Sequence, residues 1–353
     1  MIKFRLEKHS SPYWVRIIIP FAAILVTFLI TSIILMVSHV NPIEAFYYFL
    51  VEPLSAKASL IEVLVKSTPL FLTGVAVSLA FASGYWNIGA EGQLIAGATA
   101  GAGIGMIVQG VSQWVGIPIM IIGGFLAGAL WALLPAILKV KLSVDEIVTT
   151  LLMNYVILYL VSFLLNGPWK TTTNPGWPQS PEISLSTTFV KLIPKTRLHI
   201  GFVIALVIIL VVWFLLTKTK LGYQMRASGI GRQAAYFTGI NVNRTILISA
   251  LLSGGIAGIA GAAEVGGIHY HLIEALSGGL GYTGIIIATL SALNPLAVIP
   301  SALFFGLIET GARSVSRALG TPIHLGGIVE GMLLLIILGA FLFQEYRIRR
   351  VKK

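Results

Sequence analysis

The sequence predicts an all-α fold: a polytopic transmembrane helical bundle of about 10 spans, some of them short or broken. Three observations predict it. Of 353 residues, 56% are hydrophobic and only 10% charged, whereas a soluble domain carries about 25% charged residues. Mean hydropathy is +0.91. The apolar runs are continuous rather than alternating, which argues against a β-barrel. So few charges cannot solvate a globule of this size, so disorder and an ordinary cytosolic enzyme are excluded. Roughly 200 apolar residues are available, and each span needs about 20.

The first apolar run, Ile17 to Val37, is too long for a signal-peptide core and is read as a retained span, 17–38. The next spans are 61–83, which stops at Ser83-Gly84, and then 92–110 and 115–138, separated around Gly116 and Pro118. Span 147–165 stops at Asn166-Gly167-Pro168. Spans 200–216 and 246–263 follow, then 280–294 and 296–312 on either side of Asn294-Pro295, then 326–343. The pair 280–294 and 296–312 is short enough for half-helices or a re-entrant hairpin.

Charge sets the orientation. The formal net charge is +11, and 16 of the 24 basic residues fall in four segments. These are Lys3, Arg5, Lys8 and Arg16; Lys139 and Lys141; Lys218, Lys220, Arg226, Arg232 and Arg244; and Arg347, Arg349, Arg350, Lys352 and Lys353. The span count puts all four on one side, which the positive-inside rule makes cytoplasmic, along with both termini. Arg313 and Arg317 fall on the other side. The chain reads as a single transmembrane domain, 1–353, with an external loop at 166–199 and a cytoplasmic loop at 217–245. Trp169 and Trp177 in the external loop suit an interfacial anchor or a docking surface for an outside partner.

Soluble chemistry is missing from the sequence. There is no G-x-x-x-x-G-K-[ST], no H-E-x-x-H and no G-x-S-x-G, so no P-loop, helix-borne zinc site or nucleophile elbow is expected. There are no cysteines, which removes disulfides and thiolate chemistry. His269 and His271 stand at i, i+2, which is not metal spacing on a helix. No catalytic residue, metal or cofactor is expected, and the basic balance reflects membrane topology rather than nucleic acid.

The cytoplasmic loop is the most informative segment. Ser228 can cap a short helix. Ile230, Ala234 and Phe237 then share a face, and Gly239 suits the left-handed residue that ends it. About two turns are too short to hold alone in water, so the helix needs a surface: the lipid interface or a groove in a cytosolic partner.

Glu91 follows Asn87 and precedes Gln93 at the head of a span. An ionised carboxylate facing lipid costs at least about 2.5 kcal/mol, so it faces protein, water or a partner. It either caps the 92–110 helix or lines a polar path with Asn87 and Gln93. Glu309 and Glu330 are further path candidates. Gly97, Gly101 and Gly105, Gly124 with Gly128, and Gly254 with Gly258 have the spacing of close helix packing. Glu264, His269, His271 and Glu274 stand in a Gly-rich outer connection. Gly-rich breaks at 84–92 and 277–284 precede short apolar spans, a faint internal echo of interrupted helices.

Three ordered motifs resemble the permease subunits of ABC importers, in the branched-chain amino acid, simple-sugar and nucleoside group. The first is Arg226-Ala-x-Gly229, then Ala234-Ala235-x-x-x-Gly239-Ile240, then Ser253-Gly254-x-x-Ala257-Gly258-x-Ala260-Gly261. The second is Asn87-Ile-Gly89-Ala-Glu91-Gly92-Gln93. The third joins Gly279-x-Gly281-Tyr282, Ala288 to Asn294-Pro295, and Ala302-x-x-Phe305-Gly306. Where the family often has Asn-Pro after the glycine, this chain has Gly231-Arg232.

The resemblance implies a non-catalytic subunit in a bacterial or archaeal plasma membrane, importing a small polar solute. The second motif points to nucleosides, with simple sugars or branched-chain amino acids as alternatives. It makes the 217–245 loop the coupling helix that docks on a cytosolic ABC ATPase, through Arg226, Gly229, Ile230, Ala234, Ala235, Phe237 and Gly239. The other implied partners are a second permease subunit, identical or homologous, and an extracellular solute-binding lipoprotein, besides membrane lipid. A self-contained secondary transporter or channel is the competing class. The few intramembrane carboxylates count against it.

Overall fold

The structure, a computed structural model, describes residues 3–8, 13–37, 39–171, 177–322, 324, 327–329, 331–333, 335–336, 339 and 346–351. The chain divides into two compact units, 60–306 and the terminal segments 1–59 with 307–353.

The first unit is helical. α4 (Lys57–Ala82) ends where Gly84 turns left-handed at φ 75°, so that the amides of Gly84 and Tyr85 reach the carbonyls of Phe81 and Ala80. α5 spans Ala90–Ile107. α6 (Gln113–Leu142) starts on the Ser112 side-chain cap, and α7 (Glu146–Asn166) on the Asp145 carboxylate, which accepts from the amides of Ile147 and Val148. α8 (Gly201–Lys218) leads to the short helices α9 (Lys220–Ile230) and α10 (Arg232–Phe237). α11 (Val242–Glu264) is capped by Asn241 and runs into a π-turn, Val265–His269. α12 covers Leu280–Leu290, and α13 covers Val298–Leu319, its residues from 307 on belonging to the terminal unit.

α11 forms the core with α5 and α6 because small residues let backbones meet. A methyl group added at Gly97 of α5 would lie 2.1 Å from the carbonyl oxygen of Gly258 on α11. Gly124 and Gly128 of α6 meet α11 at Gly258 and Gly254 in the same way. Many large aliphatic and aromatic side chains of the outer helices are exposed, as with Leu152 and Phe163 on α7 and Val207 and Phe214 on α8. In a membrane protein such residues meet lipid, and small residues make the helix contacts.

The two ends of this unit differ. At one end the α4–α5 turn packs on α9, with Gly84 against Gly229. At the other, the 177–200 segment lies over the π-turn, through Phe189 N to Gly266 O at 2.8 Å and Ile183 N to Tyr270 O at 2.8 Å. Arg197 there makes a bidentate pair with Glu62, and that pairing raises the arginine's pKa further. Trp169 packs on Gly103, and Trp177 is exposed.

In the terminal unit, α1 (Tyr13–Val37) is followed by α2 (Pro42–Phe46), a π-turn (Tyr47–Val51) and α3 (Glu52–Ser55). Phe28 contacts Phe46 and Phe49 edge-on. β1 (Lys3–Lys8) pairs antiparallel with β2 (Tyr346–Val351), Lys3 opposite Val351.

Among the described residues six helices are long and apolar enough to cross a membrane. They correspond to the expected 61–83, 115–138, 147–165, 200–216, 246–263 and 296–312. Leu280–Leu290 is a shorter apolar helix, as the half-helix reading requires. Its expected mate is not short: α13 runs 22 residues, because Arg313 and Arg317 continue the helix rather than end it, with Arg317 Nε on the Arg313 carbonyl at 3.3 Å. The short pieces α2 and α3 and the terminal strand pair are absent from the sequence reading, since segments of four to six residues are shorter than a hydrophobic period can resolve. Part of 326–343, with Glu330 in it, lies outside the described residues, as do residues 172–176 of the external loop.

Candidate functional site

The sequence-predicted residues gather in two places. The first is a polar node where α5 and α12 begin. The chain leaves α4 at Gly84, buries Tyr85 and turns at Asn87. Burial, with Glu146 nearby, raises the Tyr85 pKa above its ordinary value. Asn87 uses its whole carboxamide. Its Nδ2 donates to Gln93 Oε1 at 2.9 Å and to Ser253 Oγ of α11 at 3.0 Å. Its Oδ1 accepts from Gln93 Nε2 at 2.9 Å and the Gly89 amide at 3.0 Å.

Glu91 does not cap its own helix. The N-cap of α5 is Gly89, and the carboxylate turns across to the start of α12. Its Oε1 accepts from Ser277 Oγ and the Gly279 amide, and its Oε2 accepts from the Gly281 amide at 2.7 Å. A helix that begins inside a protein leaves amides without partners, and a negative charge there also suits the helix dipole. Gly281 is required by the close approach, since a methyl group on it would lie 2.2 Å from the Glu91 amide nitrogen.

Sequence reasoning missed Asn154 on α7, which completes the node. Its Oδ1 accepts from the Gly92 amide at 2.9 Å, and its Nδ2 donates to Ile88 O and Tyr282 Oη, both at 3.1 Å. Four helices are thereby tied by carboxamides and one carboxylate. Asn87, Glu91 and Gln93 are 0%, 5% and 1% exposed, with their polar atoms engaged by the protein. Glu309 is half-buried on α13, in the terminal unit.

The second place is the α9–α10 hairpin. Ser228 is not an N-cap: it is buried inside α9, whose cap is Thr219, through Gly222 N to Thr219 Oγ1 at 3.1 Å. The break comes at Gly231, extended at φ −168°. Gly239 ends α10 as expected, at φ 82°, with Ile240 N on Ala235 O. Met225 and Ala235 face inward and are buried, while Ile230 is 91% and Phe237 86% exposed. Arg226, Ala234 and Gly229 are also exposed. Beside this ridge Tyr223, Arg226, Ala227, Ile230, Ala234 and Thr238 line a groove of about 400 Å³. Sequence spacing places Ala234 and Ala235 together, yet only Ala234 is on the open side.

The hairpin is also held ionically. Arg232 Nη2 donates to the Gly84 carbonyl at 2.7 Å and to Glu146 Oε1 at 3.3 Å. Lys139 Nζ meets the other Glu146 oxygen. The legible signal was the acidic pair Asp145-Glu146 close after Lys139 and Lys141.

Six helices long and apolar enough to cross a membrane, among the described residues, make this a multi-pass membrane protein by fold. The chain belongs to the family described as branched-chain amino acid transport system / permease component, whose model matches residues 59–338. It is similar to a glucose ABC transporter permease of Haloferax volcanii, 32% identical over 97% of this chain and 92% of that protein. It is also similar to a guanosine ABC transporter permease of Bacillus subtilis, 31% identical over 79% and 81%. A nucleoside ABC transporter permease of Lactococcus lactis is 27% identical over 93% and 92%. No solved structure matches the chain.

Proposed function

We propose that this permease imports nucleosides as the membrane subunit of an ABC transporter, with a separate cytosolic ATPase seated on α9–α10. The observation that carries the docking role is Phe237 and Ile230, exposed on a hairpin that is itself packed inward through Ala235 and Met225. Large apolar side chains held rigidly in the open are the anchors of a protein interface. The substrate reading rests on the guanosine and nucleoside relatives and on the Asn87-to-Gln93 motif. The glucose relative favours sugars as the second reading. The polar node braces the interrupted helices that frame the path, and Glu309 is a path candidate on α13.

In this reading ten spans place both termini and the hairpin in the cytoplasm of a bacterium or archaeon. A second permease subunit and an extracellular solute-binding lipoprotein complete the assembly. The test is Phe237→Asp in the purified importer. The ATPase is expected to be lost from the complex while the permease remains membrane-inserted; retention of the ATPase at wild-type stoichiometry rejects the docking role. Competition of unlabelled nucleosides and sugars for uptake decides the substrate.

A further inference from the structure

The hairpin is held by two kinds of contact that do different work. Ala235 and Met225 supply packing, which fixes where it sits. Arg232, the first residue of α10, supplies a directed connection. Its guanidinium bonds the Gly84 carbonyl, which closes α4, and Glu146, the first residue of α7. Glu146 is 4% exposed, and its second oxygen takes Lys139 near the end of α6. One side chain therefore ties α10 to the end of α4 and the start of α7, and Glu146 carries the tie on to α6 through Lys139. The segment that follows Gly84 is the one that carries Asn87 and Glu91 into the polar node.

We propose that the Arg232–Glu146–Lys139 group is the linkage that transmits motion of the hairpin to the helix ends, so that Arg232 and Glu146 are positioning residues for transport. The proposal rests on the docking role of α9–α10. A guanidinium suits the task, because its planar fork holds a carbonyl and a carboxylate at once in fixed directions. Packing on an alanine can slide, whereas a charge-assisted pair with a largely buried carboxylate is broken only at a cost. Motion of α10 then carries the α4 end and the α7 start with it, as one element with two discrete arrangements.

The experiment uses the complete importer in proteoliposomes, with guanosine as the first probe and glucose in parallel. It compares wild type, R232Q, R232K, E146Q and the R232Q/E146Q pair, reading ATPase retention and solute accumulated per ATP hydrolysed. The ATPase is expected to stay bound in all of them. Solute per ATP is expected to fall about tenfold in R232Q, within the range common for coupling between two sites. R232K should recover part of it, and the double variant should be no worse than R232Q alone. Solute per ATP within about twofold of wild type in R232Q overturns the proposal, and so does loss of the ATPase from R232Q, which would make Arg232 a docking contact. Failure of the docking role itself is read separately, from retention of the ATPase by Phe237→Asp. If R232Q does not insert, R232K and E146Q carry the same comparison.

Discussion

Glu91 shows how much one carboxylate can organise. Its three acceptor contacts all go to the stretch Ser277 to Gly281, so it joins α5 to α12 rather than serving the helix it belongs to. Replacing it with Gln keeps the shape but removes the charge and turns one acceptor into a donor that faces amides. The expected loss is about 1–3 kcal/mol, the range for leaving buried partners unsatisfied. It should appear as a lower melting temperature of the detergent-purified protein, and an unaltered melting temperature would show that the bonds contribute nothing. His199 makes the opposite case. Its Nδ1 accepts from the Gly201 amide at 3.1 Å and its ring packs on Phe189. Burial, with Lys191 nearby, lowers its pKa to about 4. Between that value and the ordinary 6.5 the unfolded chain binds more protons than the folded one, so stability falls as pH falls through this window, by on the order of 3 kcal/mol in full. His199→Asn keeps the local bond to the amide two residues on and should flatten the melting-temperature profile between pH 6.5 and 4.5. An equally steep profile in that variant would assign the effect to other groups.

Between elements, backbone proximity decides more than side-chain size. α5 and α11 touch at Gly97 and Gly258 so closely that even a methyl group has no room. Gly97→Ala is therefore expected to abolish the monodisperse gel-filtration peak of the purified permease. Gly231→Ala should leave it, since the nearest atom there is 3.7 Å away and its backbone is extended. Similar profiles for the two would mean that the helices separate easily. Motif spacing marks 228–239 as one short helix, and the structure shows two helices there, Lys220–Ile230 and Arg232–Phe237. Helical periodicity across 228–239 assumes one helix, whereas Gly231 divides it, and that division leaves Ala234 exposed while Ala235 is buried.

At the scale of the molecule, the proposed role makes the permease the passive part. Its interior holds satisfied carboxamides and close-packed glycines, and the hairpin proposed to receive work lies at one end of the 60–306 unit. Reconstituted alone, it should accumulate no guanosine under an imposed proton or sodium gradient, and uptake should appear only with the ATPase and ATP. Gradient-driven uptake by the isolated subunit would make it a secondary transporter.

Hydrophobic length and charge were enough, in the sequence alone, to determine the class and most of the long helices, because a bilayer demands about 20 apolar residues per span and tolerates little else. The partners of Glu91, Asn154 and Arg232 were decided by the tertiary structure. Glu146 and Arg232 are 86 positions apart, and Glu91 and Gly281 are 190 apart. Nothing local in a chain records which distant amide or carboxylate will complete a buried polar group; only the packing of the helices brings them within bonding distance.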